Sequence, residues 1–88
     1  MIKSEVKITN KTGLHARPAS LFVSESSKYK SEIKAINGDK EYNAKSIMGI
    51  LSMGAVEGDI ITIIAEGSDE KEAVEGLVKL IESNFNQA

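Results

Sequence analysis

Cysteine is absent from this 88-residue chain, which removes disulfides, thiolate metal sites and a cysteine nucleophile at a stroke and fits a cytosolic protein. Long hydrophobic runs are also missing. None approaches the ~20 residues that a bilayer-crossing helix requires, and Met1-Ile2-Lys3-Ser4-Glu5 lacks the apolar stretch of a signal peptide. A soluble, cytoplasmic protein without membrane insertion is expected. Arginine occurs once, aromatics make up 5% and the pI is near 5.4, a balance that argues against nucleic acid as a direct partner. With a single histidine and no cysteine there is no usual transition-metal cluster, and no glycine-rich nucleotide loop is present. Neither metal nor cofactor is expected. The length suits one domain over residues 1–88, with a modest core.

The net charge of −2 conceals an uneven distribution. Residues 1–45 hold nine bases against five acids, or +4, while residues 46–88 hold two bases against eight acids, or −6. Such a dipole can steer acidic or phosphorylated partners toward the basic half. Solvated charges with no steering role explain it equally well.

Along the chain, Ile2, Val6 and Ile8 alternate with Lys3, Glu5 and Lys7 as in a half-buried strand. Asn10-Lys11-Thr12-Gly13 breaks that strand. From Ala16 to Lys28, residues Ala19, Phe22, Val23 and Ser26 recur at helical spacing. Glu32–Ile36 and Lys40–Asn43 read as strands joined by a hairpin at Asn37-Gly38-Asp39. Ser46 can cap a short helix over Ile47–Met53, with Gly54 to end it. After the turn Glu57-Gly58-Asp59 comes the β-branched run Ile60–Glu66, with Ile61, Ile63 and Ala65 on one face and Ile60 and Ile64 on the other. Gly67-Ser68-Asp69 leads to a last helix whose first turn carries Asp69, Glu70 and Glu72 and whose buried stripe is Val74, Leu77, Val78, Ile81 and Phe85. The order β-α-β-β-α-β-α favours a two-layer α/β domain, with one antiparallel sheet covered on one face by helices.

Chemistry concentrates in Gly13-Leu14-His15-Ala16-Arg17-Pro18-Ala19. An imidazole accepts and releases a proton or a transferred group near neutral pH. Placed where a helix begins, it has free backbone N–H groups and a positive dipole end beside it to stabilise an attached anion. Arg17 adds a fixed cation suited to phosphate oxygens, Gly13 permits close backbone approach, and Pro18 fits the first helical turn. These features together read as a phosphoryl site. A histidine serving as a cap or as an ordinary surface residue remains the competing explanation.

The second constellation is Lys45-Ser46-Ile47-Met48-Gly49-Ile50-Leu51-Ser52-Met53, which has more apolar side chains than one helix face buries. The spacing predicts a stripe of Ile47, Ile50 and Leu51, with Met48 and parts of Ile47 and Leu51 turned outward as an adaptable docking patch. A fully buried short helix is the alternative. Ser46 is first an N-cap, yet a phosphoserine there gains from the helix dipole, and Lys45 and Lys40 are near in sequence.

The two segments, with Asn43-Ala44 preceding the second, resemble the HPr family, histidine-containing phosphocarriers of the phosphoenolpyruvate-dependent sugar phosphotransferase system, in its low-GC Gram-positive form. The resemblance implies an open-faced β-sandwich: a four-stranded antiparallel sheet of order 1-4-2-3 with three helices on one side. It implies that His15 Nδ1 accepts a phosphoryl group from phosphorylated enzyme I and passes it to IIA domains of sugar permeases. Arg17 and the N–H groups of Ala16 and Arg17 would manage the phosphate charge, with Pro18 in the same motif. Ser46 would be the target of an ATP-dependent HPr kinase/phosphorylase, in carbon catabolite repression through catabolite control protein A. Ala16, Arg17, Ser20, Ile47, Met48 and Leu51 match the family's docking surface. A stoichiometric carrier rather than an enzyme, acting as a monomer, is expected. Two other readings compete: a small-ligand-binding regulatory domain, which needs a concave apolar pocket, and an acyl-phosphate hydrolase with Arg17 as anion clamp.

Overall fold

Alternation along the first strand and the β-branched run at 60–66 commit one face of a sheet to burial, and the computed structural model, which describes residues 1–86, shows what covers it. The elements are β1 (Ile2–Lys7), α1 (Ala16–Ser27), β2 (Glu32–Asn37), β3 (Lys40–Asn43), α2 (Ile47–Met53), β4 (Ile60–Glu66) and α3 (Glu70–Glu82), followed by a 3₁₀ turn at Asn84–Asn86. All pairings are antiparallel, and the sheet order is β1-β4-β2-β3, as the resemblance implies. Val6, Ile33, Ala35, Ile61, Ile63 and Ala65 form the buried face. They share one apolar cluster with Phe22 of α1, Ile50 of α2, and Val74, Leu77 and Ile81 of α3. Each large side chain so buried contributes roughly 1.5–3 kcal/mol relative to exposure.

The opposite face is uncovered. Ile60 is 58% exposed there and Ile64 half-buried, as their register opposite to Ile61 and Ile63 predicts. The outer strands are β1 and the four-residue β3. In the hairpin, Asn37 pairs with Lys40, and only Gly38 takes a positive φ, 68°, at the first central position of a two-residue turn.

Two details depart from the sequence reading. The last helix ends at Glu82, so Phe85 is not part of its stripe. Asn84 and Phe85 instead adopt left-handed φ of 55° and 59°, and this reversal carries the Phe85 ring into the core, where it is 1% exposed. Asp69 stands at the N-cap of α3 but makes no capping bond. Its carboxylate accepts from the Ser31 hydroxyl (2.6 Å), the Ser31 N–H (3.0 Å) and the Lys30 N–H (2.9 Å), tying the α1–β2 connection to the β4–α3 connection. The Ser31 hydroxyl first, then the Lys30 N–H, hold that carboxyl below the usual aspartate range.

Helices α1 and α3 meet at Gly76, where an added Cβ would strike the Tyr29 hydroxyl and come within 2.8 Å of the Glu25 carboxylate. Tyr29 donates to Glu25 at 2.7 Å. Burial, followed by this bond, pushes the phenol up to about 12. Alanine is the better intrinsic helix former by about 1 kcal/mol. We nevertheless expect Gly76→Ala to lower stability by about 1 kcal/mol, because the methyl group must displace both side chains and break their bond; urea unfolding measures it. Asp69 supplies the pH dependence. Its folded pKa lies below the unfolded value of about 3.9, so its stabilisation is present above that value and is lost as pH falls through the folded pKa. Thermal unfolding from pH 6 to pH 2 should show a shallower acid loss in Asp69→Asn than in the unsubstituted protein.

Candidate functional site

Beyond β1, Ile8 remains tied to the 58–59 turn: its N–H donates to Asp59 O (2.8 Å), and its carbonyl accepts from Gly58 N–H (2.8 Å). The chain then folds over itself. Gly13 N–H donates to Asn10 O at 3.2 Å, and Asn10 Nδ2 donates to Gly13 O at 2.8 Å. Gly13 has φ +66°, and a Cβ there would collide with Ala55 O and Val56 Cα, so glycine is required on two counts. The next residue, Leu14, is buried and donates its N–H to Ala55 O at 2.9 Å. His15 follows as the N-cap of α1.

The side chain of His15 does not cap. Its backbone is extended (φ −111°, ψ −163°), its carbonyl accepts the first helical bond from Ala19 N–H at 2.8 Å, and its imidazole bonds to none of the α1 N–H groups. The alternative of a capping histidine is therefore set aside by the geometry. Pro18, the third helical residue, has no N–H, so the unspent donors at this end are those of Ala16 and Arg17, which have no acceptor among the described residues. Arg17 likewise has no ion pair among the described residues. His15, Ala16, Arg17 and Ser20 are exposed, whereas Pro18 is buried beneath them. An exposed imidazole, two unspent donors and an unpaired guanidinium at one helix end are complementary to an anion.

Helix α2 supplies the second half of the surface. Ser46 caps it, its Oγ accepting from Gly49 N–H at 3.1 Å, and Gly54 closes it in the left-handed conformation. The buried residues are Ile50 and Met53, which corrects the expected stripe: Ile47 and Leu51 lie at the exposed rim, 39% and 41% accessible, beside Met48 at 71%. A helix of two turns offers the core one i, i+3 pair, so the remaining apolar residues face outward. Lys45 is already engaged, donating from Nζ to Tyr29 O at 2.6 Å, and Lys40 belongs to the hairpin, opposite Asn37.

The Leu14–Ala55 hydrogen bond joins the two constellations by fastening the histidine loop to the segment that leaves α2. Asp59 braces that segment, its carboxylate accepting from Val56 N–H at 3.0 Å. Asn10, Ala55, Val56 and Asp59 were not recognisable as site residues in the sequence, since their roles come from contacts across more than forty positions or from a turn whose partner is a backbone carbonyl. A groove of about 390 Å³ lies elsewhere, walled by charged residues including Lys30, Lys34, Glu41 and Lys45, and does not supply the apolar pocket of a small-ligand domain. No helix among the described residues is long and apolar enough to cross a membrane, and no cluster of metal-ligating residues occurs among them.

Comparison with known proteins bears directly on this arrangement. The family described as the PTS HPr component phosphorylation site matches residues 2–83. The HPr-like protein Crh of Halalkalibacterium halodurans is 49% identical over 82 residues, covering 93% of this chain and 98% of that protein. The phosphocarrier protein HPr of Buchnera aphidicola is 49% identical over 77 residues, with 88% and 91% covered. Among solved structures, HPr-C-His from Thermoanaerobacter tengcongensis superposes with a TM-score of 0.97 at 51% identity, covering 100% of this chain and 99% of the other. An HPr dimer from the same organism gives 0.80 at 52% identity, with 99% and 100% covered. Agreement of this extent, over a chain that carries an unspent anion cradle beside its one histidine, places the protein in the HPr family, the phosphocarriers of the sugar phosphotransferase system, which relay a phosphoryl group rather than catalyse a reaction of their own.

Proposed function

We propose that His15 is the residue that carries the phosphoryl group, that phosphorylated enzyme I is its donor and that IIA domains of sugar permeases are its acceptors. The observation that carries this reading is the non-capping imidazole beside the unspent N–H groups of Ala16 and Arg17. In the acceptance step, the Nδ1 lone pair of His15 attacks phosphorus. The bond between phosphorus and the donor group of enzyme I breaks with its electron pair returning to that group, and a P–Nδ1 bond forms. Donation to a IIA domain is the same exchange with His15 as the leaving group. The two N–H groups, the helix dipole and the Arg17 guanidinium offset the charge of the phosphoryl oxygens. Their exposure keeps this stabilisation moderate, so the bond remains transferable in both steps.

Docking in this reading uses Ala16, Arg17 and Ser20 of α1 with Ile47, Met48 and Leu51 of α2. Ser46 borders that patch, and it is our candidate for ATP-dependent phosphorylation by HPr kinase/phosphorylase. A phosphate there stays at the N-terminus of α2 and adds about −1.5 to −2 charge beside the apolar patch. That charge opposes the approach of enzyme I and favours catabolite control protein A. The Bacillus subtilis relative Crh is described as a catabolite repression HPr, which supports a regulatory role for this site. We take residues 1–88 as one cytoplasmic domain serving both roles. The dimer formed by the Thermoanaerobacter relative means that the expectation of a monomer does not follow from the fold.

Incubation with phosphoenolpyruvate and enzyme I should add one acid-labile phosphate, detected by intact mass, and His15→Ala should abolish it. Label persisting in that variant overturns the assignment. Incubation with ATP and HPr kinase/phosphorylase should add one acid-stable phosphate that Ser46→Ala removes. Phosphosite mapping to a different serine counts against the regulatory reading.

A further inference from the structure

We propose that Asn10 is a positioning residue for His15, an inference that rests on the reading of His15 as the phosphoryl acceptor. The peptide unit between Gly13 and Leu14 is held at both polar ends: its carbonyl accepts from Asn10 Nδ2 at 2.8 Å, and its N–H donates to Ala55 O at 2.9 Å. The second Asn10 amide proton goes to Thr12 Oγ1 at 3.2 Å, and the Asn10 carbonyl accepts from Gly13 N–H at 3.2 Å. One residue thus grips the turn through both its side chain and its main chain. The orientation of the amide is dictated by these acceptors, since a flipped amide would set Oδ1 against the Gly13 carbonyl.

Asn10 is only 9% exposed, and its Oδ1 is buried with no hydrogen-bond partner. A buried unpartnered acceptor is a cost that alanine would avoid. What offsets it is the pair of donors aimed at Gly13 and Thr12. With them in place, the Gly13–Leu14 peptide has one orientation, Leu14 enters the core beside Ala55, and His15 arrives at the N-cap of α1. Without them the peptide is free to turn about the glycine, and the imidazole loses its registry with Ala16 N–H and Arg17 N–H. Transfer to His15 depends on that registry, because small misplacements of reacting groups are amplified in the rate. Asn10 makes no hydrogen bond to the imidazole or to the exposed residues of α1 and α2, its partners being Thr12 and Gly13, so its effect belongs to the chemical step and not to docking.

The test compares Asn10→Asp, which keeps the shape but replaces the donor with an oxygen, and Asn10→Ala, with Gly76→Ala as a destabilised control remote from the loop. Initial rates of phosphoryl acceptance from phosphorylated enzyme I, measured over a range of concentrations of the full chain, give kcat and KM for each. We expect kcat to fall about tenfold in both Asn10 variants, the consequence in barrier height of one lost buried hydrogen bond, with KM and the Gly76→Ala kcat unchanged. Should Asn10→Ala fail to fold, Asn10→Asp decides alone. An unchanged kcat, a rise confined to KM, or an equal fall in Gly76→Ala overturns the proposal while leaving His15 as acceptor if His15→Ala remains unlabelled. Label in His15→Ala would overturn the acceptor assignment and Asn10 with it.

Discussion

The contact on which the rest of the site depends is the close backbone approach of Gly13 to Ala55. It admits no Cβ, and it is immediately followed by the Leu14–Ala55 hydrogen bond. Through it the start of α1 is set by the end of α2, although the two are far apart in sequence. A loop without this anchor would leave the approach to the start of α1 unfixed. With it, the segment that carries His15 is fastened to the segment that leaves α2, and the proposed docking surface draws on both.

The electrostatics of that face are set by what has been left unspent. Helix N-termini usually satisfy their first N–H groups with a side-chain oxygen. Here α2 follows that pattern through Ser46, whereas α1 has a histidine that leaves its donors open and a proline that removes one of them. The difference between the two caps is the difference between a closed structural end and an open one whose donors are complementary to an anion. In the proposed relay, an exposed end with two backbone donors favours a charge that arrives and departs over one that is retained.

Local patterns made most of the fold legible. Alternation found β1, β-branching found β4, and Asn37-Gly38 found the hairpin, although only the glycine uses its conformational freedom. The histidine motif was legible as chemistry because each residue type has a reason at its offset. Legibility failed where a residue answers to distant partners. Asp69 looks like a helix-dipole carboxylate, yet it serves Ser31 and Lys30 across the molecule. Phe85 falls on a helical period, yet it reaches the core through two left-handed residues that lack the usual glycine signal. Helix α2 is too short for periodicity to say which of its apolar residues face inward.

The outer strands of the sheet have a consequence for how such a protein exists in quantity. A carrier that moves one group per molecule delivers a flux in proportion to its abundance, so it has to remain dispersed at high concentration. Exposed strand edges are the usual templates for unwanted pairing between copies. Here one edge is β3, four residues long with Lys40 and Glu41 in it, and the other is β1, with Lys3, Glu5 and Lys7 pointing to solvent from every second position. Short length and alternating charge at these margins act as a colloidal safeguard against pairing between copies.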